Sequence, residues 1–400
     1  MDLRFSAEEL AFRDEVRGFI RDNLPEDIRE RLQLGHKVEK PDIVRWQRIL
    51  NKKGWAAYSW PKQWGGPGWT PIQRMMFLEE IQTFPAPEVN PFNITMLGPV
   101  LIQFGSEEQK SRFLPRAANL DDWWCQGFSE PGAGSDLAAL KTAARLDGDH
   151  YVVNGQKIWT STAHIADWCF CLVRTNPQAP KKQEGISFLL IDMQTPGITV
   201  RPIISIDGEH HLNEVFFDDV RVPVAMRIYE ENKGWDVAKF LLGNERTGIA
   251  RLGKSKERVN FAKQKARNLR AHGKPLSEDP EFRRRIAALE TELKSLEITQ
   301  LRVLSAQKAG ERRQDPLTAV LKLKGTELLQ ATTELAVDVA GPLAMPDWAD
   351  ELEALSNEPE LGPVWATEAT RSYLFLRAAS IYGGTNEIMK NIVSKAVLGL

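Results

Sequence analysis

Trp124-Cys125-Gln126-Gly127-Phe128, running into Ser129-Glu130-Pro131-Gly132-Ala133-Gly134-Ser135-Asp136, is the stretch on which the reading of this sequence turns. Its apolar start predicts a short strand, and the strand leaves into a glycine-rich turn whose small side chains let backbone N–H groups approach an anion closely. A purely structural turn has the same composition, so the neighbouring segments have to decide. Downstream the apolar pattern has a period of two. Tyr151-Val152-Val153 and Lys157-Ile158-Trp159 flank Asn154-Gly155, which predicts a hairpin turn, and Ile186 to Asp192, Ile198 to Ile203 and Val215 to Val222 predict further strands.

Outward on both sides the period becomes helical. Phe12, Val16, Phe19 and Ile20 form one row near the start, and Ile286, Leu289, Leu293 and Leu296 form another that suits a long bundle helix. Between Gly54 and Pro71 a cluster holding Trp55, Trp60, Trp64 and Trp69 predicts a packed, rigid loop, whereas 341–365, with Pro342, Pro346, Pro359 and Pro363, predicts an irregular one. The expected fold class is α+β in three blocks: a helical domain over 1–120, a β domain over 121–230 and a helical domain over 231–400.

Four hundred residues with 42% hydrophobic content exceed what one core organises, in keeping with several blocks. A net charge of −2 gives no basis for binding nucleic acid. Cys125, Cys169 and Cys171 form no C-x-x-C pair, so neither a metal site nor a disulfide framework is expected, which points to a reducing, cytoplasmic location. No apolar run reaches transmembrane length, and Met1 leads directly into the first helical row without room for a signal peptide, so no membrane partner is expected.

Two further segments could carry chemistry. Trp159-Thr160-Ser161 offers a large aromatic plane followed by hydroxyls, which suits a flat heterocycle covered on one face and hydrogen-bonded at its edge, although a lone Trp is more often core. In Tyr382-Gly383-Gly384-Thr385-Asn386-Glu387-Ile388, two glycines precede a capping residue and a helix with Ile388 and Ile392 on one stripe. That opening can hold a phosphate or polarise a carbonyl, or simply cap a C-terminal helix.

Taken together, the turn at Ser129 to Asp136, Trp159-Thr160-Ser161 and Gly384-Thr385-Asn386 resemble the acyl-CoA dehydrogenase family. The likeness extends to the Trp-rich loop, to Phe104-Gly105-Ser106-Glu107-Glu108-Gln109 and to Phe217-Asp218-Asp219-Val220-Arg221-Val222-Pro223. The resemblance implies a helical domain, a β-barrel or sheet domain and a C-terminal four-helix bundle, with FAD as cofactor. It implies flavin contacts from Gln126, Phe128, Ser129, Gly134, Ser135, Trp159, Thr160, Ser161, Thr385, Asn386 and Glu387. It also implies acyl-CoA contacts from Ser135 and Gly384, with Arg246 beside them. Electron-transferring flavoprotein is the implied acceptor. An acyl-CoA oxidase, which returns electrons to oxygen, is the alternative.

Many members carry a glutamate base where this chain has Gly383, and a glycine cannot take a proton. A second branch, similar to isovaleryl-CoA dehydrogenase, places the base on the first long helix of the bundle, and Gly243-Asn244-Glu245-Arg246 matches that location. Independently of the resemblance, Leu241, Glu245 and Ile249 share one helical stripe, so an acid interrupts an apolar face. There it loses hydration, which favours the proton-bound form that a base must reach. Glu245 is therefore the expected base and Gly383 the backbone donor to the thioester oxygen. That Glu245 and Arg246 belong instead to an interhelical ion pair is the competing explanation.

Two departures bear on assembly. The family's Arg-x-x-Phe-Gly arm is replaced by Leu269-Arg270-Ala271-His272-Gly273, and its Gly-Gly-x-Gly turn by Val339-Ala340-Gly341-Pro342. A hetero-oligomer with a second acyl-CoA dehydrogenase-like subunit is expected, with a homotetramer or homodimer as alternative and a non-catalytic scaffold subunit as the competing function. Among branches, the chain resembles the pimeloyl-CoA dehydrogenase large subunits, which implies a medium-chain or dicarboxylyl thioester. The stretch from Phe84 to Ile102, read as helical and implied to line the acyl tail, contains no Lys or Arg, so a distal carboxylate needs its counter-charge from another element.

Overall fold

A computed structural model describes residues 4–34, 36–84, 86–245, 250–271, 273–308, 316–346 and 362–400. The first helices are α1 (Ala7–Asn23), α2 (Glu26–Leu34), α3 (Lys40–Lys52), α4 (Pro71–Thr83), α5 (Gly98–Phe104) and α6 (Glu107–Asn119). Strands follow as β1 (Trp124–Gly127), β2 (Ala143–Asp147), β3 (His150–Lys157), β4 (Trp168–Arg174), β5 (Ile186–Asp192), β6 (Ile198–Ile204), β7 (His210–Pro223) and β8 (Arg227–Ile228). Helices then return as α7 (Gly234–Glu245), α8 (Leu252–Asn268), α9 (Pro280–Lys308), α10 (Leu317–Ala340), α11 (Val364–Phe375) and α12 (Asn386–Val393). The helix, sheet, helix order is the one the periodicity predicts. The chain folds as two compact units, one made of 1–46, 69–88 and 246–400, the other of 47–68 and 89–245.

The first unit is helical. Ser6 and Glu9 cap α1 reciprocally, and Thr70 and Gln73 do the same for α4, where Pro71 occupies the first helical position. Along α1 the buried residues are Phe12, Val16 and Ile20, the predicted row. Helix α10 packs against α8, α9, α11 and α12. Leu252, Val259, Ile286, Leu293, Leu296, Leu321 and Leu328 form the shared core, so the row read from the sequence along α9 faces its neighbours. Two glycines bring these helices close. A Cβ on Gly253 would lie 2.7 Å from Cβ of Gln82, and one on Gly325 would lie 2.5 Å from Cα of Ala250, so α4 and α10 both press on the start of α8. In α12 the buried side is Asn386 and Met389; Ile388 and Ile392 are half-buried, one step away from the expected stripe.

In the second unit eight strands form one sheet in the order β6-β7-β3-β2-β4-β5-β8, with β1 pairing parallel to β4. Strands β4 and β5 are buried along almost their whole length, from Cys169 to Val173 and from Ile186 to Ile191, as expected of central strands covered on both faces. Phe170 and Phe188 stack at 6.0 Å inside this core. The Trp-rich loop is packed as predicted: Trp60 donates from its indole nitrogen to the Ile94 carbonyl (2.7 Å) and lies so close to Gly98 that any larger residue there would collide. Cys125, Cys169 and Cys171 are buried free thiols. Helical backbone in the 84–102 stretch begins only at Pro91, and residues 86–90 form no regular element. No helix among the described residues is long and apolar enough to cross a membrane.

Asn154-Gly155 does not turn the chain. Strand β3 runs straight through it, and the hairpin between β2 and β3 is closed instead at Gly148 (φ +62°). The Asn154 amide is spent across the sheet, where Nδ2 donates to Asp219 Oδ1 (2.9 Å) and Oδ1 accepts from the Asp219 N–H (3.0 Å). Gly155, at φ +149°, marks a slip in the β3–β7 register, and a Cβ there would lie 2.6 Å from Cα of Thr142. The glycine serves a bulge and a close approach rather than a two-residue turn.

Candidate active site

In the second unit the site is built on the turn that follows β1. Glu130 and Ala133 exchange two backbone hydrogen bonds (2.9 and 3.0 Å) around Pro131 and Gly132, and the Ser129 carbonyl accepts from the Ile158 N–H (2.9 Å). Beneath the turn sits a buried ion pair. Lys157, fully buried, donates to Glu130 Oε1 (2.8 Å) and to the Phe128 carbonyl (3.2 Å), and the Glu130 carboxylate also accepts from the N–H groups of Lys141 (2.6 Å) and Thr142 (2.9 Å). Burial alone would push the Glu130 carboxyl up, but the Lys157 charge and these hydrogen bonds outweigh it and hold it below the usual range. The turn is therefore anchored by a group that stays ionised.

Gly132 and Gly134 have ordinary negative φ, and a Cβ on either would meet nothing within 4 Å. The chain's own packing does not require glycine at these positions, so the open space is available to a ligand. Ser135 is exposed beside them. Phe128 differs from its neighbours: its ring lies edge-on to Phe170 and Phe188 in the core, so a ligand contact at that residue is left to the backbone.

Past β3 the chain takes a left-handed step at Trp159 (φ +60°), which leaves the indole 56% exposed. A non-glycine residue in that region stores strain, and a bare indole gives up burial, so two unfavourable features coincide at one residue. Thr160 is buried between them, held by Asn213 on both sides: its N–H donates to the Asn213 carbonyl (3.0 Å) and its carbonyl accepts from Asn213 Nδ2 (2.9 Å). His210 Nε2 in turn holds Asn213 Oδ1 (2.7 Å). Trp159 and Ser161 remain at least partly open while the Thr160 hydroxyl is buried and has no hydrogen-bond partner among the described residues. An open aromatic plane, a hydroxyl and a turn with room for an anion fit the isoalloxazine and phosphates of a flavin nucleotide.

Helix α7, also in this unit, buries Val237, Ala238 and Leu241 and ends at Glu245, one turn after Leu241. The Glu245 side chain, with Arg246 and Ile249, lies outside the described residues.

In the first unit, the remaining predicted residues lie at the start of α12. Gly383 (φ +64°) and Gly384 (φ +86°) are both left-handed, and Thr385 caps the helix by accepting from the Ile388 N–H (3.2 Å). Here glycine is required by the backbone, and a Cβ at Gly384 would also lie 2.7 Å from Cε of Met389. Asn386 faces inward, accepting from Lys322 Nζ (3.1 Å) and the Thr326 hydroxyl (3.2 Å), while Glu387 is exposed, its carboxyl held below the usual range first by a backbone hydrogen bond. Sequence reasoning missed the Glu130–Lys157 pair, Asn213 and Lys322. For Lys157 the signal was a cation at an inward position of a strand; the other two gave none.

Family models agree with this geometry along the whole chain. The acyl-CoA dehydrogenase N-terminal domain matches residues 6–121, the middle domain 125–220 and the C-terminal domain 232–398. Acyl-CoA dehydrogenase IpdE1 of Mycobacterium tuberculosis is 37% identical over 397 residues, covering 97% of each chain. Among solved structures, the ChsE4-ChsE5 complex of Mycobacterium tuberculosis is 32% identical with a TM-score of 0.83, covering 100% of this chain and 99% of that one. The Tcur3481-Tcur3483 steroid acyl-CoA dehydrogenase is 29% identical with a TM-score of 0.84, at 100% and 99% coverage. With matched N-terminal, middle and C-terminal domains and relatives that align end to end, this chain belongs to the acyl-CoA dehydrogenase family of FAD-dependent oxidoreductases.

Proposed function

We propose that the chain removes the α and β hydrogens of an acyl-CoA thioester, with Glu245 as the base. The observation that carries this reading is the strained, open Trp159 beside a turn whose glycines the fold itself does not need. When bound, FAD supplies the acceptor for the β hydrogen. Gln126, Ser129, Gly134, Ser135, Trp159 and Ser161 are the proposed flavin contacts, with Phe128 and Thr160 offering backbone groups; Thr385, Asn386 and Glu387 are proposed as flavin contacts too. Ser135 and Gly384 would contact the thioester, with Arg246 next to the base.

Glu245 would take the α proton, a role worth about 10²- to 10⁴-fold in rate for a positioned base. Charge then builds on the thioester oxygen, and the Gly383 N–H is the donor offered to it, a contribution that does not depend on a side chain. Position 383 can therefore lose the family's usual carboxylate and still serve. The acyl group would be of medium chain length or dicarboxylyl. A ring-bearing acyl group is the second reading, favoured by the steroid enzyme among the relatives.

A hetero-oligomer with a second, related subunit is supported by the two missing interface motifs and by relatives that were solved as two-component complexes. Electron-transferring flavoprotein would reoxidise the flavin, and three buried free thiols suit a reducing cytoplasm. The test uses the assembled, co-purified protein. Glu245→Gln should retain the yellow flavin but fail to bleach on addition of acyl-CoA; bleaching at the wild-type rate would refute the base.

A further inference from the structure

At the start of α8, three cations share one side of the helix: Arg251, Lys254 and Arg258, spaced three and four residues apart. All three are half-buried. Arg251 caps the helix in a left-handed conformation (φ +42°), a strained backbone for a bulky residue, and in that position its guanidinium pairs with Glu88. Burial by itself would push the Glu88 carboxyl up; Arg251 and Lys254 hold it ionised.

The charges do not balance. Among the described residues, Glu88 and Glu257 are the carboxylates that act on Arg258 and Lys254, so three cations face two anions there. Glu88 is already taken by Arg251, and Arg258 Nη1 is buried without a hydrogen-bond partner among the described residues. Burial, and then repulsion from Arg251, push the Arg258 guanidinium down to about 10, so the attraction of Glu257 and Glu88 does not make up for what burial costs this cation. Leaving a charge in that condition is unfavourable, and folded proteins tolerate it mainly where a ligand completes the set.

The place of the cluster says which ligand. Tyr382 lies within electrostatic reach of both Arg251 and Arg258, and the next two residues are Gly383 and Gly384, where the thioester is proposed to bind. An anion seated here would be attached to the acyl-CoA itself. We propose that Arg258, with Lys254 and the Glu88-paired Arg251, forms the seat for a carboxylate at the far end of the acyl chain, which makes the substrate an ω-carboxyacyl-CoA. This inference rests on the acyl-CoA dehydrogenase reading above and adds the substrate class. It also supplies the counter-charge that the residues between Phe84 and Ile102 lack. A phosphate of the CoA moiety has related chemistry, and the test separates the two.

The assembled wild-type protein is titrated anaerobically with pimeloyl-CoA and with heptanoyl-CoA, which share chain length and differ only in the terminal carboxylate, and flavin bleaching is followed. Half-bleaching should need about 10- to 100-fold less pimeloyl-CoA, the range of one charge-assisted hydrogen bond, and that ratio should collapse toward one in Arg258→Gln and in Lys254→Gln. Two substitutions guard against one failing to assemble. Bleaching by both esters without preference, or a parallel loss for both in the variants as CoA phosphate contacts would give, overturns the carboxylate seat but leaves the dehydrogenase reading standing. Bleaching by neither ester overturns the carboxylate seat together with the medium-chain or dicarboxylyl reading, and bleaching by a ring-bearing acyl-CoA in the same preparation then shows whether the dehydrogenase reading stands.

Discussion

Lys157 and Arg258 are both cations drawn away from water, and the protein surrounds them in opposite ways. Around Lys157 the account closes: it lies fully buried against Glu130 and the Phe128 carbonyl, and the carboxylate's remaining capacity is filled by two backbone N–H groups. Around Arg258 it stays open, with two like charges on the same helix, one of the two acids that act on it already paired to Arg251, and a buried Nη1 without a partner among the described residues. A closed set specifies a conformation, here that of the turn at Ser129 to Asp136, and leaves no capacity for a ligand. An open set leaves capacity and gives up stability for it. Burial of a charge is thus a poor guide to function until its partners are counted.

The most severe way to break this contrast is Lys157→Met. Removing one member of a buried pair strands Glu130 as an uncompensated anion, and the expected loss is about 3 to 5 kcal/mol in urea denaturation, with flavin lost as the turn relaxes. The double variant Lys157→Met/Glu130→Gln should recover part of that loss. If the single variant proved as stable as wild type, the pair would not be the anchor described here. A milder disturbance of the same pair is acid. The Glu130 carboxyl titrates lower in the folded protein than its unfolded value of about 4.3, so its stabilisation is complete above that value and fades as pH falls toward and through the folded one. Relative to wild type, Glu130→Gln should be less stable by about 2 kcal/mol near neutrality, with the difference narrowing as urea melts are repeated at falling pH. A gap that stayed constant with pH would mean that the carboxylate charge is not what holds the turn.

How far these features could be read in advance follows from the range of the interactions involved. The helix rows at Phe12 to Ile20 and Ile286 to Leu296, and the strands at Ile186 and Ile198, were legible because burial imposes its period on neighbouring residues. So was the loop around Trp60. Asn154-Gly155 misled, because the side chain that closes a two-residue turn in one setting bonds here to Asp219, far along the chain. The motif residues of the candidate site were visible as composition. What they do was not: Thr160 and Asn386 turn inward, Trp159 stays open, and glycine is needed for backbone shape at Gly384 but not at Gly134. The cations of α8 stood in plain sequence at positions 251, 254 and 258, but their imbalance depends on Glu88, which reaches them only through the close packing of α4 and α8 at Gly253.

The smallest expected effect is the sharpest comparison with Lys157. Arg258 is driven down to about 10 by burial and by Arg251, so the folded state holds this charge less comfortably than the unfolded chain does. At neutral pH the guanidinium is charged in both states, and folding therefore bears the whole penalty. Arg258→Gln removes it, at the expense of some attraction to Glu257 and Glu88 and of part of the packed stem. The two changes oppose each other, and the urea midpoint measured without acyl-CoA should stay where it is or rise, with a net change within about 1 kcal/mol. A loss approaching that of Lys157→Met would mean that Arg258 closes a structural pair after all, and a seat already filled by the protein could not receive a substrate carboxylate.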